Sequence, residues 1–255
     1  MHVLILSLDT SSPSGSVAIL RDDLTLGVIS TRAEENYSSR IFRHLDFLLS
    51  DLTLKLADFD LFAVSAGPGS FTGLRVGLTA AKGWAEVYRK PVVGVSALEA
   101  VAFQARSGAV LIPALDARRG QIYFGVYRTA AAGLALDGEE FVVTPEEFAE
   151  KLGALAHIGD GDGLHGGNGI GGFSIVTPDA PVVAVVSRLT SKLASSLASN
   201  FTASFAGLEI VSSVLAPSIG RIAHARALRG QVSDALTLDA NYVRRTDAEM
   251  RWKDG

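Results

Sequence analysis

The chain has 255 residues, 48% of them hydrophobic and 20% charged, which is enough apolar material for one large or two small folded domains and unlike a disordered chain. Its 23 basic and 27 acidic residues leave a net charge of −4, which argues against a chain that grips nucleic acid on its own. Having no cysteine, it has no disulfide and no thiolate chemistry, and no apolar run approaches the ~18 residues needed to span a bilayer.

The opening MHVLILSLD has no basic n-region, and its apolar run stops at Asp9, too short for a signal peptide. A cytoplasmic protein is expected. Residues 3–8 read as a buried strand, followed by the turn-rich DTSSPSG from Asp9 to Gly15. Ser16–Leu20 and Leu24–Ser30 read as second and third strands. A helix is predicted from Tyr37 to Leu49, with Ile41, Leu45, Leu48 and Leu49 on one stripe. Leu61–Ala66 is a short strand bounded by turn residues. Gly67-Pro68-Gly69 then turns tightly, and Ser70 caps a helix running from Phe71 to Tyr88. Pro91 ends that helix, Val92–Val95 is a strand, and Ala97–Ala105 a further helix.

At Val110 the opening pattern returns. VLIPALDARRGQIYFGVY is an apolar strand, an Asp, a polar turn with Gly, and another strand, so Asp116 ends its strand at a turn as Asp9 does. Two such units, each followed by helices, predict a duplicated α/β architecture. The halves are placed at 1–104, completed by a C-terminal helix near 219–230, and at 105–215, with an extended tail over 239–255. Helices are also expected from Pro145 to Leu152 after the cap Thr144, near Val185–Phe205 and near Ile219–Arg229. Residues 159–172 hold eight glycines and read as a loop.

The strand–glycine–helix junction leaves free N–H groups at a helix start, a site suited to an anion. It is not a Walker loop, because no Lys-Ser/Thr follows its last glycine, and its spacing misses the dinucleotide fingerprint. Asp9, Thr10, Gly67, Gly69, Ser70 and Asp116 form the candidate phosphate or nucleotide loop. Asp9 and Asp116, ending strands, could hold a hydrated Mg²⁺ beside phosphates. Each could equally cap its own turn by accepting nearby backbone N–H groups. No two of the five histidines are three or four residues apart, so no metal site is expected. Ser65 and Ser70 sit in no G-x-S-x-G elbow, which leaves a hydrolase unsupported. Gly73, Gly77 and Ala81 recur four apart on the helix after the loop, and glycine there costs roughly 0.5–1 kcal/mol relative to alanine. Something therefore packs closely against that stripe, either the sheet of the same chain or a partner's helix. The short basic clusters Arg118-Arg119, Arg244-Arg245 and Arg251–Lys253 read as solvated surface.

LSLDTSSPSGSVAIL, SAGPGSFTGLRVGLTAAKGWA, VVGVSALEA, LDARRGQIYFGVY and ANYVRR together closely resemble the TsaB (YeaZ) family, over most of the chain from Leu6 to Arg245. The resemblance implies the actin/sugar-kinase/Hsp70-like (ASKHA) fold, an α/β architecture of two related RNase H-like halves. It also implies a role in forming N6-threonylcarbamoyladenosine (t6A) at position 37 of tRNAs that read codons beginning with A. In that family's scheme a TsaD-type transferase carries out the transfer, a small TsaE-type ATPase completes the assembly, and the TsaB-like subunit supports TsaD without catalysing. The transferase carries two metal-binding histidines in the segment aligned with Gly94–Val101. Here those positions are Ala97 and Val101, which cannot coordinate a metal. The chain departs from the family also at Tyr37, where members often carry His, and in the length of its 159–172 loop.

The expected function is therefore a non-catalytic partner of the transferase, docking through the helices near 37–49 and 71–88. Its interface residues would be Gly73, Gly77, Leu74, Ala81, Ile41 and Leu45, with self-association as a homodimer when the partner is absent. No catalytic residue, metal or cofactor of its own is expected, ATP and Mg²⁺ entering only at the heteromeric complex, and tRNA is met through that complex. The alternative is an ATP- and Mg²⁺-dependent ATPase or phosphotransferase of the same fold, built around Asp9 and Asp116.

Overall fold

A computed structural model describes residues 2–32, 37–106, 108–131, 133–158, 172–195 and 205–243. The chain divides into two compact units, Met1–Ala100 with Val214–Gly255, and Val101–Ser213.

In the first unit β1 (Leu4–Asp9), β2 (Ser16–Arg21) and β3 (Leu24–Ser30) form an antiparallel meander. A tight turn with Asp22 at φ 55° reverses the chain between β2 and β3. The chain then passes through α1 (Tyr37–Asp51) to β4 (Leu61–Gly67), and through α2 (Phe71–Tyr88) to β5 (Val92–Ser96). β4 runs parallel to β1, and β5 parallel to β4, giving the order β3-β2-β1-β4-β5. Parallel neighbours need such helical crossovers, because a tight turn reverses direction. β1 and β4 are near-continuous apolar runs because helices cover both of their faces. On one face Leu6, Leu8, Val17 and Val64 pack with Ile41 and Leu45 of α1 and Leu74, Leu78 and Ala81 of α2. Full burial of each large side chain contributes about 1.5–3 kcal/mol. On the other face lies α6 (Ala216–Leu228), where the Ser7 hydroxyl donates to the Ala216 carbonyl at 2.7 Å and Gly220 admits the Leu20 side chain. The short α3 (Ala97–Ala102) follows β5 and stops three residues before the expected Ala105.

The second unit repeats the order. β6 (Val110–Arg118) pairs antiparallel with β7 (Gln121–Phe124), which pairs with β10 (Phe141–Val143). Parallel strands β11 (Phe173–Thr177) and β12 (Phe205–Ile210) follow on the other side of β6. The order β10-β7-β6-β11-β12 matches that of the first sheet, with an added hairpin of β8 (Tyr127–Ala130) and β9 (Gly133–Leu136) on β6. Two sheets of the same strand order and sense are the architecture of the ASKHA fold. Helices α4 (Pro145–Ile158) and α5 (Ala180–Ser195) build this unit's core with Ile112, Phe124, Phe148 and Ile175. Phe205, expected to end a helix, instead opens β12: Phe173 of β11 is its partner, and their rings lie 5.8 Å apart. Among the described residues no helix is long and apolar enough to cross a membrane. The glycine-rich 159–172 stretch, apart from Gly172, and the clusters Arg244-Arg245 and Arg251–Lys253 lie outside the described residues.

Candidate functional site

The glycine junction between β4 and α2 is built as read, but it is occupied by the chain itself. Ser70 caps α2, accepting the Gly73 amide on its hydroxyl. The amide of Ser70 donates to the Ser11 carbonyl at 2.8 Å. A Cβ at Gly69 would collide with that same Ser11 backbone. On the opposite side Gly67, at φ +111°, meets the backbone of Asn241, whose amide donates to the Ala66 carbonyl at 2.7 Å. The loop is thus clamped between Ser11 and Asn241. Thr10, Gly67, Gly69 and Ser70 do come together, as a packing joint. Glycine serves here because two other backbone segments pass within contact of it.

The other half of the clamp comes from the segment that follows α6. Residues 231–243 run as a strap across the first unit. Ser233 pairs with Val92 of β5 through two backbone hydrogen bonds. Leu238 sits buried against Gly94, and the Lys82 ammonium donates to the Leu238 carbonyl at 2.8 Å. Tyr242 then lies 5.3 Å from the Phe71 ring at the start of α2.

Asp9, ending β1, is fully buried, and its Oδ1 accepts both the amide and the hydroxyl of Ser11, at 2.9 and 2.6 Å. Burial pushes its carboxyl up to about 6, against the opposing hydrogen bonds from Ser11. Its Oδ2, with Thr10 Oγ1, Ser12 Oγ and Ser65 Oγ, is buried without a hydrogen-bond partner. A hydrated Mg²⁺ keeps several waters and needs ionised oxygens around it. Asp9 is 0% exposed, one of its oxygens is committed to Ser11, and the cavity beside it has room for about one water, less than that ion's hydration shell requires. Asp116 belongs to the other unit, where its Oδ1 accepts the Arg118 amide at 2.8 Å. Both aspartates therefore cap their own turns. Among the described residues no group of three His, Cys, Asp or Glu is placed to hold a metal. Ala97 and Val101 are both 0% exposed and offer no ligand atom. Beside Asp9 a cavity with room for about one water is lined by Thr10, Thr31, Arg40 and His44. Burial, then Arg40 and Arg43, holds His44 below its ordinary pKa.

The expected partner interface needs correction. Gly73, Gly77, Leu74, Ala81, Ile41 and Leu45 are all buried in the chain's own core, so none of them can face a partner. Gly73 lies against the Thr10 carbonyl and Gly77 against the Thr10 hydroxyl, which answers the question of what packs on the small stripe. The sheet of the same chain does. Outward, the two helices present Phe42 (49% exposed), Phe47 (62%) and Val87 (73%), with Trp84 edge-on to Phe42 at 6.3 Å. Gly83, beside Trp84, has open space above it.

The family described as "TsaD: tRNA N6-adenosine threonylcarbamoyltransferase" matches residues 19–237. Among curated proteins, "tRNA threonylcarbamoyladenosine biosynthesis protein TsaB" of Bacillus subtilis (strain 168) is 39% identical over 125 residues, 49% of this chain and 55% of that protein. The TsaB protein of Escherichia coli (strain K12) is 33% identical over 159 residues, 60% of this chain and 67% of the relative. The matches thus span about half to two thirds of these relatives' length. Among solved structures, "YeaZ from Pseudomonas aeruginosa" superposes with a TM-score of 0.68 at 22% identity, over 94% of this chain and 99% of that one. At that identity the likeness concerns the fold.

Proposed function

Because this chain belongs to the TsaB (YeaZ) family, within the wider family described as TsaD, we propose that it acts in threonylcarbamoylation of tRNA as a non-catalytic subunit that binds and supports a TsaD-type transferase. One observation carries the reading. The junction between β4 and α2 is packed against Ser11 on one side and Asn241 on the other, which supports a structural use of that loop in this chain. Ala97 and Val101, apolar and sealed, support it from the metal side.

The transferase docks on the outward ridge of α1 and α2, where Phe42, Phe47, Trp84 and Val87 leave an apolar surface that water does not favour. Without that partner a second copy of the chain covers the same ridge. A TsaE-type ATPase completes the assembly, which works in the cytoplasm, and ATP with Mg²⁺ enters only there. The test is reconstitution: the chain, transferase, ATPase, threonylcarbamoyl-adenylate and tRNA are combined with single components left out. t6A is expected to depend on both the chain and the transferase. Formation of t6A by this chain alone would overturn the proposal.

A further inference from the structure

Beside the amino end of α2, Tyr242, Phe71 and Arg75 form one exposed stack. The two rings lie 5.3 Å apart at 42°, and the Arg75 guanidinium sits 3.8 Å over the Phe71 ring. Tyr242 is 43% and Phe71 36% exposed, and Arg75 is exposed as well. Among the described residues no carboxylate forms a salt bridge with Arg75. The stack is held rigidly, since Phe71 opens an 18-residue helix and the Asn241 amide, next to Tyr242, donates to the Ala66 carbonyl.

We propose that this stack contacts single-stranded RNA, with an unpaired base on the outer face of Tyr242 and its neighbouring phosphate on Arg75. The proposal rests on the RNA-modifying role given above and adds a direct contact between this chain and the nucleic acid. Splayed loop bases are recognised by stacking on aromatic rings and guanidinium planes, with cations nearby for the backbone. Here ring and cation are already assembled. The chemistry differs from that of the ridge around Phe42, Phe47 and Val87, which is apolar and suits a protein. Phe71 and Trp84 are about 20 Å apart along α2 at ~1.5 Å per residue.

Fluorescence anisotropy of the whole chain with a labelled anticodon stem–loop, and with a blunt duplex of equal length, tests this across a salt series. The stem–loop is expected to bind more tightly than the duplex. Tyr242→Ala should weaken it about tenfold, in line with the loss of one stacked base, and Tyr242→Trp should restore it. Arg75→Glu, at an exposed position that leaves the strap in place, should weaken binding and flatten its salt dependence. The contact is refuted by no binding at about 100 µM chain, the weak end of non-specific affinity. Equal affinity for the duplex, or unchanged affinity in both Tyr242→Ala and Arg75→Glu, refutes it too. If RNA fails to bind while a transferase subunit protects Tyr242, the surface is a protein interface and the proposal falls. Reconstitution separates the two readings. Chain-dependent t6A without RNA binding removes only the contact, and RNA binding without chain-dependent t6A removes only the supporting role.

Discussion

The hydroxyl of Thr10 lies against the α-carbon of Gly77, so closely that a methyl group at position 77 would overlap it. The turn after β1 is thereby pressed onto α2 one helical turn beyond Gly73, which meets the Thr10 carbonyl in the same way. These two glycines join the first strand to the second helix, and the consequences of changing them are internal to the chain.

Gly77→Leu should destabilise the protein itself. Inserting a branched side chain at a closed helix–strand contact costs typically 1–3 kcal/mol, and here the obstacle is the Thr10 side chain with Val64 behind it. Gly83→Ala, on the open outward face, should stabilise by about 0.5–1 kcal/mol. Denaturant midpoints of the two variants measure both. An unchanged midpoint in Gly77→Leu would refute the contact.

Stability should fall as pH rises through 6, because of Asp9. Its carboxyl holds its proton to about pH 6 in the fold, against an ordinary value of 3.8. Between those values the folded chain binds more protons than the unfolded one. The associated stability is complete below about pH 4 and is lost as pH climbs through about 6, to the order of 3 kcal/mol. Asp9→Asn removes this titration, so it should gain most over the wild type near pH 8 and little at pH 4. Urea melts at both pH values provide the comparison, and a gain that is larger at pH 4 would contradict the burial of Asp9.

Truncating Leu238 should loosen the strap. The side chain fills a core site against Gly94, and large-to-Ala changes there cost about 2–5 kcal/mol. Leu238→Ala should raise amide exchange at Asn241 and Ser233, the two strap residues whose amides donate to β4 and β5 carbonyls. Leu236→Ala, at a side chain 87% exposed two positions earlier, should leave both protected.

Charge on the apolar ridge should separate association from folding. Phe47→Asp and Val87→Glu replace side chains 62% and 73% exposed, so the melting point should move by no more than about 0.5 kcal/mol equivalent. Sedimentation should then show a monomer, with t6A formation reduced in the reconstituted mixture. Wild-type association in both variants would place the docking surface elsewhere.

Much of this protein was legible because the relevant physics is local. Leu61–Gly77 announces a buried strand, a turn and a capped helix through apolar run, glycine and serine, and β4 and α2 lie where those signals put them. The return of strand, Asp, turn and strand at Val110 announces the second sheet, whose order repeats the first. Asp9 and Asp116 even accept the same amide, two residues on. Boundaries drifted where tertiary contacts outweigh propensity, as at Phe205, which pairs with Phe173 as a strand.

By itself, then, the sequence determined the elements of the first unit, the return of strand, turn and strand at Val110, and the family, since periodicity and turn chemistry act over a few residues. Only the tertiary structure decided what meets the small-residue stripe of α2. A row of glycines and alanines looks identical whether a strand of the same chain or a partner's helix covers it, and Thr10 covers it here. It also decided that the glycine loop is closed, because Asn241 reaches Ala66 from far along the chain. Contacts of that kind depend on loop closure and burial summed over the whole unit, which no short stretch of sequence encodes.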